Sequence, residues 1–324
     1  MVAMRALNDQ FLNDLDTGLL SKVAKTVQLD STLCLELRGE AINVYYRGGN
    51  LMKIEQTTTG YRATFDKNYF NEDMAIATLE ESLTCHEDIN EWLREWPNLK
   101  RAMDMYISQK VRKDEREARQ LFVRTNNGAG RGSGMARSTD FYICDVEYTH
   151  GKCRFDMIAV HWPSEGHLRR KPCTGRLVIV EVKHGDEALK GSAGLIQHVR
   201  DVDSFLENTD RVDDLKNDMV RVFRQKRIPG LMDCKMDLKG FSHERPILLL
   251  ALVNHDPGSS ILHECLKELR EKETPHTELR IGTASFFGYG LYDQGIHTVE
   301  EALRRFGNYV YKDSRALENQ LENL

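Results

Sequence analysis

The chain has 324 residues, 40% of them hydrophobic and 29% charged, with a formal net charge of −5, so it is long enough to bury one large core or two modest ones. No apolar run approaches the roughly 18 residues of a membrane span, and the mixed, acidic start MVAMRALNDQFLNDLD lacks the basic and apolar regions of a signal peptide. The acidic balance argues against coating nucleic acid through bulk charge, and a soluble, cytoplasmic protein with no membrane partner is expected.

In chain order, residues 8–26 are predicted as a helix from the near-helical spacing of Phe11, Leu12, Leu15, Leu19, Leu20 and Val23. Over residues 33–70 the period changes, and short β-rich runs punctuated by Arg38-Gly39, Gly48-Gly49 and Gly60 predict a small antiparallel meander. Residues 72–122 return to helical character, with a break expected near Trp96-Pro97. These elements set a boundary: 1–98 as a smaller N-terminal α+β accessory domain and 99–324 as the main domain. The stretch Asn126–Gly134, with four glycines in seven residues, is a pliable connector. A phosphate-cradling loop there lacks the Lys-Ser/Thr ending.

The second half is a different mixture. Asp140–Thr149 and Cys153–Trp162 form a predicted hairpin, followed by a polar connection over Pro163–Thr174. Arg176–Lys183 has the Leu-Val-Ile-Val core of a strand buried on both faces. A helix over 188–207, an acidic-then-basic stretch, the apolar strand Pro246–Asn254, a helix over 259–273 and a strand region over Leu279–Tyr292 complete the order. The fold class is α/β, with a mixed central sheet flanked by helices. Seven scattered cysteines without a Cys-x-x-Cys pair give neither a disulfide framework nor a thiolate zinc site.

Charge is unevenly spread. From Arg101 to Arg137 nine basic residues stand against four acids, a local excess suited to phosphates. Arg119 and Arg131 belong to it, and the loop His167–Lys171 adds Arg169, Arg170 and Lys171. With Arg200, these are the candidate nucleic-acid contacts, each set against the plainer reading of a solvated surface charge.

Three strand residues carry chemistry: Asp156 in Cys-Arg-Phe-Asp-Met-Ile and Glu181 and Lys183 in Val-Ile-Val-Glu-Val-Lys. Residues two apart on a strand share a face, so Glu181 and Lys183 stand together at the end of an apolar run. Buried there, they need a partner or a metal. Two carboxylates suit Mg²⁺, a hard ion that takes oxygen ligands. Such an ion polarises a phosphoryl oxygen and acidifies a bound water, while a lysine offsets developing charge. An ordinary surface ion pair is the plainer alternative.

With Asp156 preceding Glu181-Val-Lys183 by 25 residues, the chain resembles the PD-(D/E)XK, or restriction-endonuclease-like, superfamily. The resemblance covers roughly Leu99 to Tyr292, and departs in having Phe155 where many members carry proline. It implies a core of helix, three strands, helix and strand, and a Mg²⁺-dependent nuclease in which Mn²⁺ substitutes. It also implies an acid on the preceding helix, Glu115 ahead of Glu117, joining Asp156 and Glu181 on the metal. A glutamine on the following helix, Gln197, supports the site. His184 and His198 are weaker candidates for a base. DNA ranks ahead of RNA as the expected substrate, a homodimer is the expected assembly, and genome defence against viruses, repair or mobile-element processing are compatible settings. Two rivals remain: a non-catalytic nucleic-acid-binding or assembly protein on the same fold, and an RNA-cutting effector activated by a ligand at the N-terminal region.

Overall fold

The computed structural model describes residues 4–69, 79–109, 114–128, 139–151, 153–191, 194–256, 259–284, 289, 291 and 293–307. The expected first helix is two: α1 (Asp9–Asp16) and α2 (Ser21–Leu29). Asn8 caps α1 by accepting from the Phe11 amide. The chain turns at Gly18, where a Cβ would lie 2.8 Å from the Asp14 Cα, too close for any other residue without movement. There follow β1 (Leu33–Leu37), β2 (Ala41–Tyr46), β3 (Gly49–Gln56), β4 (Tyr61–Thr64) and β5 (Ser82–Leu83), an antiparallel sheet in sequential order.

Helix α3 (His86–Gln109) runs through Pro97 without the expected break. Proline inside a helix costs about 3 kcal/mol. Here Ile89, Trp92 and Trp96 before it, and Leu99, Ala102 and Met103 after it, bury one continuous face that offsets the loss. The boundary expected between residues 98 and 99 therefore falls inside α3.

The remaining elements are α4 (Asp114–Asn127), β6 (Phe141–His150), β7 (Cys153–His161), β8 (Cys173–His184), α5 (Leu195–Leu206), α6 (Thr209–Arg227), β9 (Leu238–Phe241), β10 (Ile247–Val253), α7 (Ser260–Arg270), β11 (Glu278–Ala284), β12 (Ile296–His297) and α8 (Val299–Gly307). Among the described residues these strands make one seven-stranded sheet, ordered β12-β11-β10-β8-β7-β6, with β9 beside the start of β8. Strands β6, β7 and β8 are antiparallel neighbours, and β10 and β11 continue parallel to β8. The architecture is α/β, a mixed sheet flanked by helices. On one face α4 packs Ala118, Phe122 and Val123 against Val178, Val180 and Val182. On the other, Leu195, Val199, Phe223 and Leu266 cover Leu177, Ile179, Leu248 and Leu250.

Two further expectations change. The helix after Lys183 starts at Leu195, preceded by a short 3-10 turn over Asp186–Leu189. The acidic-then-basic stretch is the helix α6, capped by Asn208 and buried through Val212, Leu215, Met219, Val222 and Phe223. Its acids come early and its bases late, as the helix dipole favours. The last strand region is described over Glu278–Ala284. Most of residues 285–292, and residues 129–138 of the glycine-rich loop with Arg131, lie outside the described residues.

The N-terminal sheet shares buried core residues with the rest of the chain. One apolar core runs from Phe11 and Leu51 through Trp96 to Tyr148, Trp162 and Phe223. Glu36 of β1 pairs with Lys226 of α6 at 2.6 Å, both 1% exposed. Arg38 and Arg5 converge on the buried Asp145 of β6 at 2.7 and 3.2 Å. Asp218 of α6 accepts the Arg5 amide at 2.9 Å. Among the described residues no helix is long and apolar enough to cross a membrane.

Candidate active site

The site begins where two strands part. The β7–β8 ladder runs from His161↔Arg176 to Met157↔Val180. The next step would pair Asp156 with Glu181, but there the Asp156 side chain takes over from the backbone, its Oδ2 accepting the Val182 amide at 3.0 Å. Strand β8 meanwhile stays paired with β10 as far as His184. Parting on one side only opens a crevice of about 600 Å³, lined by Glu115, Arg116 and Arg119 of α4, Arg154 and Asp156 of β7, and Glu181 and Lys183 of β8. Glu187, Ala188, Lys190 and His198 complete the lining.

Glu181 and Lys183 are 4% and 5% exposed. They continue the face of β8 that carries Leu177 and Ile179, as strand alternation requires. Lys183 Nζ lies 2.9 Å from Glu181 Oε1, and His198 Nδ1 lies 3.1 Å from the same oxygen. Burial pushes the Glu181 carboxyl up to about 8, with the Asp156 charge adding to the shift and Lys183 opposing it. Glu115 is raised as well, first by burial and then by Asp156.

Asp156 has a second fixed partner, because Arg119 Nη1 donates to its Oδ1 at 2.7 Å. Glu115 and Arg119 are one helical turn apart, so α4 presents both to the crevice. Glu117, about 200° round from Glu115, turns to the β2–β3 hairpin and pairs with Arg47 at 3.1 Å. Gly48 of that hairpin lies flat on α4: a Cβ there would meet the Arg116 carbonyl carbon at 2.5 Å, and its amide donates to Gln120 Oε1. Behind Asp156 the β6 backbone is strained. Glu147, between the pairs Val146↔Met157 and Tyr148↔Phe155, has φ +53°, a left-handed geometry costing roughly 1–2 kcal/mol. Its carboxylate receives Arg154 at 2.9 Å and Arg119 at 3.5 Å, and its carbonyl receives Arg5 at 2.7 Å.

The structure therefore brings together Glu115, Asp156, Glu181, Lys183 and Arg119. Other expected residues go elsewhere. Gln197 is exposed and donates to Asp201 at 2.7 Å; its neighbour His198 takes the inward place. Arg200 is exposed on α5, two positions and about 200° beyond His198. Arg169, Arg170 and Lys171 precede the first residue of β8, whereas Lys183 is next to its last. At about 3.3 Å per residue they stand roughly 30 Å away, at the opposite end of β8. Arg169 is committed there: its Nε donates to the Pro163 carbonyl at 2.9 Å and its guanidinium lies 4.4 Å from the Tyr142 ring centroid. His184 is on the far side of β8 from Lys183 and meets Asn254 Nδ2 at 3.1 Å.

The donor set can be tested against the expected magnesium. Three carboxylates in one crevice are the hard oxygen donors that ion prefers. The raised Glu181 and Glu115 show electrostatic repulsion and burial that a divalent cation would relieve. Both Asp156 oxygens are already engaged, however, and among the described residues no group of three or more His, Cys, Asp or Glu side chains is close enough to hold a metal. The chemistry fits; the carboxylates are gathered but not drawn in around a common point. No family model matches the chain, and no curated protein and no solved structure matches it either.

Proposed function

We propose that this protein is a metal-dependent nuclease of the restriction-endonuclease-like type, cleaving phosphodiester bonds in the crevice between β7 and β8. The observation that carries the reading is the one-sided parting of those strands after Met157↔Val180, which puts Asp156, Glu181 and Lys183 beside Glu115. The order α4, β6-β7-β8, α5, then the parallel β10 supports it, being the order that the resemblance implies.

In this reading Glu115, Asp156 and Glu181 would hold Mg²⁺. When bound, that ion supplies Lewis-acid polarisation of the phosphoryl oxygen and an acidified water. The protein's own groups do the rest. The Lys183 ammonium, anchored on Glu181, offsets negative charge that builds on the phosphoryl oxygens. Arg119 holds Asp156 in place and, with Arg116 and Arg154, makes the α4–β7 wall attractive to a phosphate. DNA remains the first substrate to try, with RNA second.

A second reading, a phosphate-binding crevice without catalysis, is favoured by the Arg119–Asp156 pair, which already neutralises one expected metal ligand. One experiment separates them. Linear, plasmid and single-stranded DNA and RNA are incubated with the protein and Mg²⁺ or Mn²⁺, and thermal unfolding is followed with and without metal. Cutting that disappears in Asp156→Asn, Glu181→Gln and Lys183→Ala while these variants stay folded supports the nuclease. Binding without cutting, and no metal-dependent rise in Tm, supports the second reading. A ligand at one hundred times its Kd should add about 2.7 kcal/mol.

A further inference from the structure

Glu181 differs from Asp156 in how it is held. Asp156 is fixed by a backbone amide and by Arg119, one on each oxygen. Glu181 has a longer side chain, and both of its ion-pair contacts fall on the single oxygen Oε1. Lys183 comes from its own strand at 2.9 Å and His198 from helix α5 at 3.1 Å. Two nitrogens within 3.1 Å of one oxygen, arriving from different elements, restrict the carboxylate in a way that neither does alone.

The helix phase explains why His198 is the residue that arrives. Leu195, Val199, Val202 and Leu206 are buried on the sheet, and position 198 lies three after Leu195 and four before Val202, on the same side. The ring is about one-quarter exposed and lines the crevice, while Glu181 is almost fully buried. Contact with a carboxylate shielded from solvent is not weakened by salt and water as a surface pair is.

We infer that His198 is a positioning residue: through Nδ1 it orients the Glu181 carboxylate for a divalent cation. The inference rests on the metal-dependent reading above. Groups that hydrogen-bond a metal's ligands commonly change metal affinity 10–100-fold when removed.

The test uses the full chain and Mn²⁺ alone, without nucleic acid, in calorimetric titrations backed by circular dichroism. His198→Ala and His198→Leu should weaken Mn²⁺ binding about 10–100-fold. His198→Asn, whose amide nitrogen can stand near the place of Nδ1, should recover most of the affinity. Leucine fills the space without donating, so it keeps the test usable if the alanine variant does not fold. Wild-type binding that is weakened by Glu181→Gln but unchanged by His198→Leu would overturn the role of His198 and leave the metal reading standing. Equal weakening by Asn and Leu would assign the loss to shape and overturn it too. If the wild type binds no Mn²⁺, the metal reading falls first and this inference with it.

Discussion

Replacing Glu181 by glutamine should stabilise the protein, and by an amount that grows with pH. The carboxyl is 4% exposed and shares the crevice with Asp156 and Glu115, so the folded state resists its ionisation. Below the ordinary value of 4.5 it is protonated whether the chain is folded or not, and the folded state loses nothing to it. Between 4.5 and about 8 the unfolded chain releases the proton while the folded chain keeps it, so stability falls as pH rises. Above about 8 the loss is complete. At about 1.4 kcal/mol per tenfold change in proton activity, the interval sets a ceiling of about 5 kcal/mol. The opposing pull of Lys183 is already contained in that interval. Glutamine resembles the neutral acid and does not titrate. Urea unfolding of both proteins at pH 5 and pH 9 isolates the effect, because the other groups titrate in both and largely cancel. The advantage of Glu181→Gln should be small at pH 5 and exceed about 1 kcal/mol at pH 9. A difference that is flat across this range, or that favours the wild type more as pH rises, refutes the reasoning.

Two further outcomes test the frame around the site. Lys226→Ala leaves the buried Glu36 carboxyl without its partner, and should cost about 3–5 kcal/mol. Combining Glu36→Leu with Lys226→Met should restore most of that, and tryptophan fluorescence should show one unfolding transition. Arg169→Ala should lower stability by about 2–4 kcal/mol through lost carbonyl and ring contacts. It should leave the salt dependence of nucleic-acid binding unchanged, since the loop stands at the end of β8 far from the crevice.

Much of this arrangement is legible in the sequence. The Leu-Val-Ile-Val run, the apolar Ile247–Val253 and the His150-Gly151 turn announce the central strands because burial on both faces and tight turns demand those residue types. Asp156 beside Glu181 follows from pairing consecutive strands. Other features carry fainter signals. The spacing Val212, Leu215, Met219, Val222 and Phe223 is helical inside a charged stretch, and Leu195, Val199 and Val202 set a phase that turns His198 inward in place of Gln197. Pro97 misleads because propensity gives way to tertiary packing on Trp96 and Leu99. Some features have no local signal at all. The Asp156 bond to the Val182 amide, the left-handed Glu147 and the Glu36–Lys226 pair depend on which segments meet, and no short window contains both partners.

The Glu36–Lys226 pair also has a consequence in time. Its partners lie 190 residues apart, and translation adds about 5–20 residues per second. Glu36 therefore leaves the ribosome roughly ten to forty seconds before the lysine that neutralises it. Strand β1 can join its meander early, yet the charge at its centre waits for α6, and Arg38 waits similarly for Asp145. The N-terminal sheet is made before α6 and completed only once α6 has followed, so a nascent chain halted before α6 should still present that sheet in an open, solvent-accessible form.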